Sequence, residues 1–168
     1  MDYQPINLEK TVKKTESFLR NDVKVMLERA SLHRSDLNKP QLIPYKQDES
    51  DMNEAQKQIN EYYRVLHAVS ECLNDCMEDK QHPYRKILKG LYVEGLSSAD
   101  IQIKIGYSAT RYRTLKKQAL LEFANRLTYW NKKCFINNDD GKYEKGPWLL
   151  VNCKNGEVDD GFHNEQSI

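Results

Sequence analysis

Thr110, Arg113, Thr114 and Lys117 follow one another at steps of three, one and three, and Arg111 lies beside them. In a helix that spacing gathers hydroxyls and cations on one strip. An arginine fork can hold guanine O6 and N7 or two phosphate oxygens, while a lysine is a compact charge suited to phosphate. Between Ile101 and Leu121 the charged residues are Lys104, Arg111, Arg113, Lys116 and Lys117, and none is acidic. This is the chemistry of gripping a polyanion, not of breaking a bond. A charge run of this kind can also simply solvate a helix. Here it faces an apolar strip of Tyr112, Leu115, Ala119, Leu120, Phe123 and Leu127, so one side packs inward and the other is presented.

Other chemistries find little support. Cys72 and Cys76 form a lone C-x3-C pair, and His67 and His82 stand at no common zinc spacing from it, so free thiols are expected and no metal or other cofactor. There is no P-loop, no glycine-rich dinucleotide turn, no H-E-x-x-H and no recognisable carboxylate pair, so an enzyme is not expected and no catalytic residue is named. No apolar run reaches membrane-spanning length and the N-terminus lacks a secretion-signal pattern, which points to the cytoplasm.

The net charge of +1 hides a segregation. Residues 83–133 carry 11 Lys/Arg against 3 Asp/Glu, whereas residues 1–82 carry 12 against 15 and residues 134–168 carry 3 against 7. A basic module between acidic flanks places the polyanion contact in the middle.

The elements that position the strip can be read from their punctuation. Pro83 suits a helix start, and Ile87, Leu88, Leu91 and Tyr92 give that helix an apolar face. Gly95 stops it, and Ser97 or Ser98 caps the segment SADIQIKI, expected to bury Ile101 and Ile105 with Ile103 beside them. Gly106 supplies a left-handed turn, and Ser108 caps a last helix running to about Trp130. Short helix, tight turn and capped helix are the parts of a helix-turn-helix over residues 81–133. Residues at the start of such a second helix reach base edges, and the capped N-terminus favours a phosphate. The candidate DNA contacts are therefore Lys104, Ser108, Thr110, Arg111, Arg113, Thr114, Lys116 and Lys117.

Upstream, Asn7 or Thr11 can cap one long amphipathic helix with Leu8, Val12, Leu19, Val23, Met26 and Ala30 on its apolar side, ending near residues 33–38. The stretch KPQLIPYKQDESD reads as a linker and a joint between two halves. Met52, Ala55, Ile59, Tyr62, Leu66, Val69, Leu73 and Cys76 then form a heptad seam. Its partner is the first helix in a hairpin over residues 1–80, or a second chain in a homodimer coiled coil. Asp-Gly and Asn-Gly signals around WLLVNC suggest a small β-hairpin in an acidic tail, 134–168, which could equally be irregular. The expected fold class is all-α.

The stretch IGYSATRYRTLKKQALLEFA resembles region 4 of bacterial sigma-70-type factors. With RKILKGLYVEGLS before it and a helix–linker–helix N-terminus, the chain is more closely similar, over roughly residues 8–130, to the ArpU family of phage-encoded transcriptional regulators. That resemblance implies a regulator, often an activator, of late phage genes. It implies that Arg111 and Arg113 face DNA, and that the N-terminal helices mediate assembly or contact bacterial RNA polymerase. Two other readings fit the same elements: a small-terminase-like DNA-packaging protein, and a sigma-like helical adaptor of polymerase that does not bind DNA.

Overall fold

The computed structural model describes residues 5–135 and 146–154, and within them the protein is all-α. The first helix starts where Asn7 turns its side chain onto the helix end, Oδ1 accepting from the Lys10 amide at 2.9 Å. It comprises α1 (Leu8–Ser17), one π-helical turn (Phe18–Asp22) and α2 (Val23–Arg29). The expected uninterrupted helix to residues 33–38 is thus corrected twice. The wide turn accommodates an additional residue, and Phe18 and Leu19 are both buried. The helix ends at Arg29, Ser31 takes a positive φ of 55°, and the chain continues as a 3-10 turn at Arg34–Asn38.

The π turn separates two packing tasks. α1 packs on α6 (Ala109–Phe135), and α2 packs on α3 (Glu54–Asp75). α3 opens with a reciprocal cap, the Asn53 side chain on the Gln56 amide and the Gln56 side chain on the Asn53 amide, both at 2.9 Å. Its heptad seam divides. Leu66, Val69, Leu73 and Cys76 are fully buried, mostly against α6, while Ala55 and Ile59 are exposed. The main partner of the seam is therefore the last helix and not the first, because α6 is longer and lines up its own apolar strip beside it.

The stretch read as a linker is fastened down. Asn60 exchanges hydrogen bonds with the backbone of Lys46 (2.8 and 2.9 Å), and Arg64 donates to the carbonyls of Lys46, Gln47 and Cys134. Within the stretch, Ile43 is buried.

α4 (Tyr84–Tyr92) follows Pro83, which sits at the cap, one residue before the expected first position. α5 (Ser98–Ile105) is capped by Ser97 and Asp100 and ends at Gly106, whose φ of 74° is the left-handed stop the sequence called for. Gly90 lets α4 and α5 meet closely: a Cβ there would lie 3.0 Å from Ile101 Cδ1. One hydrophobic core spans all six helices, with Leu19, Leu66, Leu88, Ile101, Leu115 and Phe123 among its members, so it crosses the position near residue 80 where a boundary was expected. Among the described residues no helix is long and apolar enough to cross a membrane.

Pro147–Lys154 lies extended across the start of α1. The Asn7 amide donates to Val151 O and the Cys153 amide to Pro5 O, each at 2.7 Å, and the Val151 amide donates to Thr11 Oγ1 at 3.0 Å. This part of the tail pairs with residues 5–7 through an antiparallel bridge between Ile6 and Asn152. The Asp-Gly and Asn-Gly turns expected around it lie outside the described residues.

Candidate nucleic-acid interface

The first four turns of α6 are two-sided. Tyr112, Leu115, Ala119 and Leu120 are at most 2% exposed, which fixes the rotation of the helix. Ala109, Thr110, Arg111 and Arg113 are exposed on the remainder, with Thr114 and Lys117 half-buried after them. Ser108 caps the helix as expected, its Oγ accepting from the Arg111 amide at 3.3 Å. Tyr112 is fixed in turn by a hydrogen bond from its hydroxyl to Ser98 Oγ, 3.2 Å, tying α6 to the first turn of α5.

The eight expected contact residues do not share one environment. Ser108, Thr110, Arg111, Arg113 and Thr114 lie together along the exposed start of α6, and Lys117 follows one turn after Arg113. Arg113 has no hydrogen bond or ion pair to any described residue. Arg111 lies over the Tyr107 ring, 6.0 Å from its centroid, which orders the guanidinium without neutralising it. Lys116 is turned aside: it is three residues past Arg113 and points to α1, where its Nζ is 3.2 Å from Glu16 Oε1. Lys104 forms an exposed ion pair with Glu94 at 3.5 Å.

Ile103 departs from expectation. It is 82% exposed, because two residues along a helix from buried Ile101 is the opposite face. Tyr107, between Gly106 and Ser108, organises the edge of the strip. Its ring lies under Arg111 and its hydroxyl donates to the Lys80 carbonyl, so the loop before α4 is held beside the start of α6. An aromatic between a helix-stopping glycine and a capping serine is the signal that could have singled it out. Tyr84 closes the same side, donating to Gln118 Oε1 at 3.0 Å.

Cys72, Cys76 and Cys134 are buried cysteines outside any disulfide, as is Cys153 within the tail. Burial pushes the Cys72 thiol well above its ordinary value, with neighbouring Cys76 adding to the effect. Among the described residues no group of three His, Cys, Asp or Glu side chains converges as a metal site would require. No family model, curated protein or solved structure matches the chain.

Proposed function

We propose that the protein is a sequence-specific, double-stranded-DNA-binding transcription regulator that reads the major groove with the start of α6. The observation that carries this reading is the pairing on one helix of a fully buried face with an exposed one. On the exposed face, Thr110, Arg111 and Arg113 stand free of acidic neighbours in sequence, and the Arg113 side chain has no partner among the described residues. Arginine left unpaired and pre-aimed by a rigid helix is suited to bidentate base readout. α5, the Gly106 turn and α6 then act as a helix-turn-helix, with Lys117 and the Ser108 cap as phosphate contacts. The resemblance of this stretch to sigma region 4 and to phage regulators points to promoter DNA of late phage genes, with activation as the expected sense.

The test is fluorescence anisotropy on the upstream DNA of neighbouring genes against scrambled DNA, over a salt series. Tight, salt-dependent binding with preference for the upstream DNA is expected. Arg113→Ala should cost about 1–3 kcal/mol on the preferred DNA and much less on scrambled DNA. Binding that neither falls with salt nor changes in Arg113→Ala defeats the proposal.

A further inference from the structure

The exposed strip of α6 continues through charged contacts into the N-terminal helix. Lys116, one turn beyond Arg113, is 3.2 Å from Glu16, and the same Glu16 oxygen is 2.8 Å from Arg20 Nη2. Arg20 lines a cavity of about 370 Å³ that it shares with Arg34, Tyr92, Ser97 and Ser98. Arg34 is held there by donating from Nη1 to the Tyr92 carbonyl at 2.9 Å. The first turn of the eight-residue α5 forms another wall, and its leading amides have no acceptor within the helix.

A second observation points to a ligand. Tyr92 is only 4% exposed, and its hydroxyl is buried with no hydrogen-bond partner among the described residues. Tyr92 lines the cavity beside Arg20, and burial raises the phenol's pKa, so the hydroxyl is a neutral donor. Two carboxylates lie near. Glu16 is shared between Arg20 and Lys116, and Asp100 is engaged with the amide and hydroxyl of Ser97. With Arg34 added, three cations stand against these two acids, and two arginines, Tyr92 and the start of α5 line one cavity. That donor set suits a phosphate group.

We propose that this cavity seats a backbone phosphate of the same duplex whose major groove takes α6, with Arg20 and Arg34 as its cationic contacts. The proposal rests on the DNA-binding reading above and extends it: the N-terminal helices become part of the DNA-binding surface. Its placement agrees with the way the first helix of a helix-turn-helix crosses the backbone while the second enters the groove.

The experiment uses the full chain in the same anisotropy salt series, comparing wild type with Arg113→Ala, Arg20→Ala/Arg34→Ala and Tyr92→Phe, each checked for folding by its melting curve. Loss of one phosphate contact lowers the slope of log affinity against log salt by about 0.9. The double variant is expected to show that loss with its preference for upstream over scrambled DNA retained. Tyr92→Phe, which removes a hydroxyl with no hydrogen-bond partner among the described residues, is expected to melt no lower than wild type and to bind DNA about 2- to 10-fold more weakly. Should Arg34→Ala compromise folding, Arg20→Ala and Tyr92→Phe alone decide the matter. Unchanged slope and affinity in the cavity variants, with Arg113→Ala weakened, overturn this proposal and leave the reading of α6 standing. Absence of DNA binding by wild type overturns both. Inorganic phosphate is the separate arm: if it raises the melting temperature of wild type but not of the double variant, while DNA slopes stay equal, the cavity takes free phosphate and the DNA assignment falls.

Discussion

Replacing Gly106 isolates the backbone cost of the turn that sets α6 against α5. Its φ of 74° and ψ of 23° lie in the left-handed region, and a Cβ added there meets nothing within 4 Å. Packing therefore contributes nothing, and the penalty is conformational: about 1–2 kcal/mol for alanine. Asparagine should cost less, since its short polar side chain tolerates this region, and valine more, near the upper end of about 1–3 kcal/mol for a strained residue. For a chain of this size each kcal/mol shifts the melting temperature by about 2–4 °C, so Gly106→Ala should melt about 2–8 °C lower. Circular-dichroism melts of the three variants should fall in the order Asn, Ala, Val. Gly95→Ala is the control, with a φ of 69° and equally open space, and should lose about as much. Gly90 provides the contrast: its Cβ would strike Ile101, itself 1% exposed, so an alanine there is penalised by crowding while gaining helix propensity. If Gly106→Ala and Gly106→Val melt like wild type, the left-handed turn does not hold the two helices and the reasoning fails.

Other expectations can be checked singly. Arg64→Met removes a buried guanidinium, 8% exposed, that donates to three backbone carbonyls, and should cost about 3 kcal/mol in urea denaturation; an unshifted midpoint would show that the 43–49 segment is not anchored there. Ile103→Ser should leave the melting temperature unchanged, because the side chain is 82% exposed; a clear loss would mean that Ile103 is buried in solution. Alkylation of native protein at pH 8 should leave Cys72 unmodified until unfolding, since the reactive thiolate is suppressed by burial, and rapid labelling under native conditions would contradict that. Asp100 is held below its ordinary value of 3.8 by the Ser97 hydroxyl and amide, so its contribution is present above that value and is lost as pH falls through the lower folded value. Melting curves of wild type and Asp100→Ala should accordingly converge in acid and stand fully apart above the ordinary value of 3.8; a gap independent of pH refutes the linkage.

The local punctuation was legible because each signal is a short-range one. Asn7, Ser97, Gly106 and Ser108 act within a turn or two of themselves, and each does in the structure what its residue type suggests. The buried face of α6 was likewise readable from spacing. Partnership between distant elements was not. The α3 seam matches an apolar strip on either α1 or α6, and only three-dimensional packing decides between them. The π turn left no mark in a 3.6-residue pattern, since the apolar positions on either side of it remain periodic. Lys116 shows the same limit at the site: its charge and neighbours mark it as a DNA contact, but its direction depends on Glu16, a hundred residues earlier.

That distance has a consequence for the order in which the chain can assemble. α1 rests on α6, Glu16 pairs with a lysine 100 residues downstream, and Thr11 accepts from an amide 140 residues downstream. At about 5–20 residues per second, a ribosome needs on the order of 5–20 s after making Glu16 to deliver its partner. During that interval the apolar side of the first helix has nothing to cover it but α2's own contact with α3. The N-terminal helices therefore complete their burial only after the basic helix has emerged. A nascent chain stalled before residue 109 is the species most exposed to chaperones and to aggregation.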